Sequence, residues 1–168
     1  MLEWTSVEPL SDSHDLDGFT CGEDDLDSWF HGLARRANVS GTAAVHVCVN
    51  PDDGVVAFLA LASHQMQAVD LSKGAAGGLT GDVPCTLLAR MGLHRELRGQ
   101  GLGAQLILEA LKLAVQASAV VASRLLVVDA KNESLAKWYA SMNFHPTIGD
   151  PLRLYMKMST AQAVIESL

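Results

Sequence analysis

The stretch Arg98-Gly99-Gln100-Gly101-Leu102-Gly103-Ala104 decides the fold of this 168-residue chain. An apolar run over 85–93 precedes it, and apolar residues at helical spacing follow it, which predicts a strand, a glycine turn and a helix. Glycines let a ligand approach the backbone, and the N–H groups of a helix N-terminus attract anions. Arg98 adds a charged donor. The stretch therefore predicts a phosphate-binding loop, whereas a lone glycine triplet would indicate only a tight connection.

The sequence excludes two other classes of nucleotide-binding loop, the P-loop and the loop of dinucleotide-binding folds. A P-loop has Gly-Lys-Ser/Thr after the loop, and no lysine is present there. A dinucleotide-binding fold is matched loosely by Gly99, Gly101 and Ala104, with Asp129 as the ribose-binding acid. In that fold the first strand runs directly into the first glycine, whereas charged residues 94–98 intervene here. The 39 residues after Asp129 are also too few for the other half of a doubly wound sheet.

The remaining pattern predicts an α/β (α+β) fold, with a central mixed, mostly antiparallel sheet of about six strands flanked by helices. Thr20-Cys21-Gly22-Glu23 matches a capping box and predicts a helix over 23–38. Asn50-Pro51-Asp52-Asp53-Gly54 predicts the turn of a β-hairpin, and the small residues of 70–83 predict a loop. The predicted strands cover 42–49, 55–63, 85–93, 125–130 and 152–158, and a further helix starts at Asn132.

Length and composition favour one globular domain over residues 1–168, because 49% of the residues are hydrophobic. The formal net charge of −7 argues at first against a nucleic-acid partner. Nine of the 19 acidic residues lie within residues 1–30, which contain no Lys or Arg. The rest of the chain has ten acids and all twelve Lys and Arg residues. The net charge of the whole chain therefore does not by itself exclude a nucleic-acid partner.

Cysteine usage and hydropathy predict a cytoplasmic protein with no membrane segment. Cys21, Cys48 and Cys85 are odd in number and widely spaced, which favours neither a disulfide framework nor a metal site. We expect each to be a small buried side chain. The N-terminus lacks the pattern of a signal peptide, and the longest apolar run, 55–62, is too short to span a bilayer.

Two motifs about 30 residues apart resemble the GNAT superfamily of N-acetyltransferases. The first, Arg98-x-x-Gly101-x-Gly103, resembles the pyrophosphate loop of that family, and the order of predicted elements is also similar. The second is Asn132-x-x-x-Ala136-x-Trp138-Tyr139-x-x-x-Asn143-Phe144, similar to the family pattern Asn…Ala…Phe-Tyr…Gly-Phe. Trp138 replaces a phenylalanine and Asn143 a glycine. Asparagine is the usual substitute where a positive φ is required.

The resemblance implies acetyl-CoA as co-substrate and assigns residues to it. Backbone groups of Met91, Gly92 and Leu93 would pair with the pantetheine arm like an added strand. The N–H groups of the 98–104 loop would hold the pyrophosphate. Asn132 would contact the cofactor or serve only as a helix N-cap.

The same resemblance implies that Tyr139 delivers the proton that the departing thiolate requires. A phenol with a pKa near 10 stays protonated where a thiol with a pKa near 8.5 begins to ionise. The alternative for Tyr139 is core packing beside Trp138. No general base is evident, and an α-amine with a pKa near 7.7–8.0 is partly neutral without one.

Three further stretches resemble the GNAT-type toxins of bacterial toxin–antitoxin pairs. They are Phe19-x-Cys21-Gly22-x-x-x-Leu26-Asp27-x-Trp29, residues 88–93 and residues 126–131. This resemblance implies acetylation of the α-amine of aminoacyl-tRNA, inhibition of translation, a homodimer and a ribbon–helix–helix antitoxin. The expected tRNA contacts, for which solvated surface charge is the alternative, are Arg35, Arg36, Arg90 and Arg95.

Two other functions remain open at the level of sequence. The first is a GNAT enzyme that acetylates a small-molecule amine or a protein N-terminus, which the acidic residues of 1–30 favour because acids bind cations. The second is a non-catalytic acyl-CoA-binding or partner-binding module. Tyr139 and the intact glycine loop argue against that second function.

Overall fold

A computed structural model describes residues 3–168, which form seven strands and six α-helices. The strands are β1 (Ser6–Pro9), β2 (Ala44–Asn50), β3 (Gly54–Gln67), β4 (Asp82–Leu93), β5 (Leu125–Asp129), β6 (His145–Thr147) and β7 (Asp150–Lys157). The helices are α1 (Asp24–Gly32), α2 (Ala34–Ser40), α3 (Lys73–Ala76), α4 (Leu102–Ser118), α5 (Glu133–Ala140) and α6 (Met158–Glu166).

The strands form one sheet in the order β1-β2-β3-β4-β5-β7-β6. β4 and β5 pair in parallel, whereas β1–β2, β2–β3, β5–β7 and β6–β7 are antiparallel. The predicted mixed, mostly antiparallel sheet with flanking helices is thus confirmed, with seven strands instead of six. β1 and β6 escape sequence-based prediction because four and three residues are too few to show an alternating pattern.

Contacts divide the chain into two compact units. The first unit comprises Met1–Ala62 and Ala89–Glu109. Its core is aromatic: the Phe30 ring stacks on Phe58 at 4.0 Å between centroids, and Phe19 meets both rings edge-on. The helical segment predicted over 23–38 lies here, but it is broken at Leu33 into α1 and α2.

The predicted capping box is wrong. Thr20 Oγ1 donates to Asp27 Oδ2 at 2.7 Å, and Asp27 Oδ1 accepts from the Cys21 N–H at 2.9 Å. The N-cap residue of α1 is Glu23, whose side chain makes no capping bond. The Asp27 side chain fixes the segment before α1 because its two carboxylate oxygens accept hydrogen bonds from two donors at once. A hydroxyl group has only one oxygen and therefore fewer acceptor positions.

The second unit comprises Ser63–Leu88 and Ala110–Leu168. Its core includes Met66, Val83, Leu125 and Val127. Residues 70–83, predicted to be a loop, contain the short helix α3. The Arg124 guanidinium anchors this segment by donating to the Ala75 and Gly74 carbonyls at 2.7 and 2.8 Å.

The three cysteines are buried and unpaired, as expected. Burial raises the pKa of Cys48 to about 12 and that of Cys85 to about 11, so these thiols stay protonated at neutral pH. Among residues 3–168, no helix combines the length and apolarity that crossing a bilayer requires.

Candidate active site

The glycine loop lies in the first unit and presents backbone N–H groups at the start of α4. After β4 ends at Leu93, a 3₁₀ turn over Arg95–Leu97 leads into the loop. Gly99 and Gly101 both have a φ of 77°, a left-handed conformation that disfavours any side chain. A Cβ placed on either would meet no other atom within 4 Å, so the backbone angle and not crowding requires glycine. α4 starts at Leu102, directly after this turn, and its first N–H groups lack helical partners.

Side chains of the loop hold its shape through hydrogen bonds to backbone carbonyls. The Arg98 guanidinium donates to the Cys21 carbonyl, and Gln100 Nε2 donates to the Glu96 carbonyl at 3.0 Å. The preceding turn is also anchored, since the Arg95 N–H donates to the Thr20 carbonyl at 2.9 Å. These contacts fix the conformation of the loop for which the sequence predicts an anion site.

The end of β4 carries Met91, Gly92 and Leu93, for which the sequence predicts backbone contacts to a cofactor. The parallel register of β4 and β5 runs from Cys85↔Leu125 to Leu88↔Val128, and β4 continues for five residues beyond it. Gly92 has a packing reason to be glycine, because a Cβ there would lie 2.5 Å from Phe58 Cε1.

The four candidate arginines all belong to the first unit but differ in their surroundings. Arg36, Arg90 and Arg95 are exposed. The Arg90 guanidinium lies 4.8 Å above the centroid of the Trp29 ring, a cation–π contact that holds it in place. Arg35 is half-buried: its Nη2 donates to the His14 carbonyl, and its Nη1 is buried without a partner. Arg35 therefore serves the packing of its own unit.

Tyr139 and Asn132 belong to the second unit, on and before α5. Asn132 Oδ1 accepts from the Leu135 N–H at 2.9 Å, so this residue is the helix N-cap, one of the two roles expected for it. Tyr139 is 5% exposed and meets the Phe144 ring edge-on at 5.6 Å. Burial, with a smaller effect of the Asp129 charge, raises the pKa of Tyr139 to about 12. The phenol therefore stays protonated at neutral pH and can act as a proton donor.

Asn143, which follows Tyr139 in the second motif, has a φ of 70°. Within residues 3–168 it is the one residue other than glycine with a positive φ. The prediction that asparagine substitutes for glycine in a left-handed turn is thus confirmed.

Sequence reasoning missed one polar cluster of the second unit. Arg153 on β7 donates from Nε and Nη2 to the two carboxylate oxygens of Asp129 at the end of β5, each at 2.7 Å. Its Nη1 lies 3.0 Å from Nε2 of His64 on β3. Asp129 and Arg153 are partners in the β5–β7 register, a pairing that becomes visible only once the strand order is known. Among residues 3–168, no group of His, Cys, Asp or Glu is arranged to hold a metal ion.

The fold and the loop define an acyltransferase scaffold, and comparison with known proteins identifies the family. The profile of the acetyltransferase (GNAT) family matches residues 7–144, and the chain belongs to this family. A tRNA-acetylating toxin of Mycobacterium tuberculosis is 30% identical over 165 residues, covering 98% of this chain and 99% of that protein.

Two solved structures of the toxin AtaT share the fold. AtaT complexed with acetyl-methionyl-tRNAfMet matches with a TM-score of 0.85 and 25% identity, covering 95% of this chain and 98% of that one. A mutant AtaT bound to the C-terminus of the antitoxin AtaR and acetyl-CoA matches with a TM-score of 0.80 and 24% identity. That match covers 95% of this chain and 97% of the other. The resemblance to GNAT enzymes predicted from sequence is confirmed.

Proposed function

We propose that this chain is an acetyl-CoA-dependent N-acetyltransferase that acetylates the α-amine of aminoacyl-tRNA and thereby inhibits translation. In this function it is the toxin of a toxin–antitoxin pair and acts in the cytoplasm. The observation that carries the proposal is the end-to-end similarity to a tRNA-acetylating toxin, which covers 98% of this chain. The loop and the buried tyrosine supply the chemistry that such a reaction needs.

The cofactor is held mainly through backbone groups. The N–H groups around Gly99, Gly101, Gly103 and Ala104 bind the pyrophosphate, because the left-handed glycines and the start of α4 create an anion site. Met91, Gly92 and Leu93 offer the β4 backbone to the pantetheine arm. Asn132 contributes less directly, since its side-chain oxygen is engaged in capping α5.

Tyr139 provides the proton for the leaving group. The substrate amine attacks the thioester carbon, the C–S bond breaks, and the thiolate of coenzyme A takes the phenolic proton. A pKa of about 12 keeps the proton on Tyr139 until sulfur carries negative charge. The attacking α-amine, with a pKa near 7.7–8.0, is partly neutral at physiological pH and loses its second proton to solvent.

The RNA is contacted by arginines of the first unit. Arg36, Arg90 and Arg95 are exposed, and Arg90 is already positioned by Trp29. Arg35, the fourth arginine expected at the RNA, is half-buried and donates to the His14 carbonyl. Exposed arginines can contact RNA phosphates locally although the formal net charge of the chain is −7. We further propose a homodimer and a ribbon–helix–helix antitoxin as partners.

Transfer of radiolabelled acetyl groups tests the proposal. Purified protein is incubated with labelled acetyl-CoA and, separately, with charged tRNA, uncharged tRNA, a polyamine and a peptide. We expect label on charged tRNA alone, and loss of that label when Tyr139→Phe replaces the wild type. Label on the polyamine or the peptide but not on charged tRNA would overturn the toxin function and favour another amine. Absence of transfer to every acceptor would favour a non-catalytic acyl-CoA-binding module.

A further inference from the structure

A stacked column of planar groups runs from the core of the first unit to its surface. The Phe30 ring stacks on Phe58 at 4.0 Å between centroids, and Phe58 stacks on Trp29 at 6.1 Å with 26° between the ring planes. The central carbon of the Arg90 guanidinium lies 4.8 Å from the centroid of the Trp29 ring. Phe30 and Phe58 are fully buried, Trp29 is half-buried and Arg90 is exposed. The stacked column therefore ends at the protein surface in a planar cation.

The Trp29 ring holds Arg90 without occupying its hydrogen-bond donors. The guanidiniums of Arg35 and Arg98 donate to backbone carbonyls, whereas a cation–π contact uses none of the five N–H donors of an arginine. The contact also restricts the rotamers of Arg90 before any ligand binds, so that less side-chain entropy is lost on binding. An ordered and exposed guanidinium suits a flat ligand, because arginine stacks readily on aromatic rings.

The stacked column adjoins the part of β4 that is proposed to hold the pantetheine arm. A Cβ at Gly92 would lie 2.5 Å from Phe58 Cε1, so this ring lies against the backbone of the strand. Arg90 precedes Gly92 by two residues on β4. Their side chains therefore point to the same face of the sheet, and their Cα atoms lie about 7 Å apart. A ligand on Arg90 thus lies beside residues 91–93, within the first unit.

Among the acceptors considered, charged tRNA is the one that brings a flat ligand to this place. Its amino acid is attached to the ribose of the 3′-terminal nucleotide, so unpaired bases accompany the amine to the thioester. Such bases stack on aromatic rings and on arginine guanidiniums, whereas a base within a duplex has both faces covered. The charge of Arg90 also attracts the phosphates of the same strand and repels a polyamine.

We propose that Arg90, positioned by Trp29, stacks on an unpaired nucleobase at the 3′ end of the substrate RNA and thereby selects amines that are linked to RNA. This inference rests on the proposed function. Arg90 is the residue that contacts the base, and Trp29 is a positioning residue that acts through it. The contact makes and breaks no covalent bond, and it determines which acceptor reaches the thioester.

A fluorescent base at the end of a short RNA tests the stacking directly. The probe is an unpaired single-stranded RNA that ends in 2-aminopurine, whose fluorescence is quenched when the base stacks, and it is titrated with the full chain. We expect the wild type to quench the probe. Arg90→Lys keeps the charge but loses the planar group, so it should bind about tenfold more weakly and without quenching. The salt dependence of binding should be equal for both proteins, because neither loses a positive charge.

An RNA with an abasic 3′ end separates a base contact from a phosphate contact. Removal of the base should weaken binding to the wild type about tenfold. The affinity of Arg90→Lys should stay within twofold, because the partner of the base is already absent, and the two changes are then not additive. If Arg90 contacts only a phosphate, neither change alters the affinity, and that result would overturn the inference.

Two variants of Trp29 test its positioning role. Trp29→Phe keeps a ring beside the guanidinium and should retain most of the quenching, whereas Trp29→Leu should lose it. An unchanged affinity for acetyl-CoA verifies that each variant is folded. Full quenching by Trp29→Leu would show that the ring does not position Arg90.

Lys73→Gln is the control for charge, since it removes an exposed cation of the second unit and should quench the probe as the wild type does. Absence of quenching by the wild type, or full quenching by Arg90→Lys, would overturn the inference. The assay needs no acetyl transfer, so its failure is distinct from failure of the proposed function. Charged tRNA that is acetylated without quenching of the probe removes only the stacking, whereas quenching without acetylation of charged tRNA removes the proposed function.

Discussion

The variant Gly101→Ala tests two properties of the loop separately: the positive φ at this position and the access of a ligand to the backbone N–H groups. Gly101 has a φ of 77°, and a Cβ there would meet no other atom within 4 Å. The folded state therefore suffers only the left-handed strain, about 1–2 kcal/mol of unfolding free energy. Gly41, the C-cap of α2 in the same unit, has the same φ of 77° and equally open space, which makes Gly41→Ala a matched control. Urea unfolding should show the two variants equally destabilised to within about 0.5 kcal/mol.

Acetyl-CoA binding should separate this matched pair. A methyl group at Gly101 shields the N–H groups that are proposed to hold the pyrophosphate, whereas Gly41 is the C-cap of α2 and is not part of the loop. We expect Gly101→Ala to weaken acetyl-CoA binding at least about tenfold in titration calorimetry, equivalent to about 1.4 kcal/mol, and Gly41→Ala to bind as the wild type does. Equal affinities of the two variants would refute the reasoning that places the pyrophosphate at this loop.

Four further predictions follow from packing, titration and backbone angles. Gly92→Ala should cost about 1–3 kcal/mol in urea unfolding because its Cβ would lie 2.5 Å from Phe58 Cε1, and Phe58→Leu should recover part of the loss. Burial raises the pKa of Tyr139 to about 12, so its neutral form contributes stability that is whole below about pH 10 and is lost as the pH rises through about 12. Unfolding curves over that range should show the wild type losing more stability than Tyr139→Phe, and parallel curves would contradict the raised pKa. At Asn143, with a φ of 70°, substitution by Gly should maintain or raise the melting temperature, whereas substitution by Ala should cost about 1 kcal/mol. Arg124→Ala frees the Gly74 and Ala75 carbonyls, and hydrogen exchange should become faster over 70–83; unchanged exchange would show that other contacts hold the segment.

The parts of the site that a sequence can predict are those determined by local backbone conformation. Gly99, Gly101 and Asn143 all adopt the positive φ that their residue types favour. The apolar runs before and after the loop form β4 and α4, since a strand and a helix each impose a period on the residues that must be buried.

The parts that a sequence does not predict depend on distant partners. The Asp27 contacts were missed because the carboxylate that accepts from the Thr20 hydroxyl and the Cys21 N–H lies seven and six positions further along the chain, beyond the reach of the capping-box pattern. The Arg98 guanidinium, expected at the ligand, also donates to a carbonyl 77 positions away. Such contacts are decided by tertiary packing, which no local pattern records.

The most direct test of the account is the chemical identity of the acetylated product. Charged tRNA is incubated with the protein and labelled acetyl-CoA, the aminoacyl ester is hydrolysed, and the released amino acid is analysed. We expect a labelled N-acetyl amino acid from the wild type and none from Tyr139→Phe at equal acetyl-CoA affinity. An unlabelled amino acid from the wild type, or full labelling by Tyr139→Phe, would contradict it.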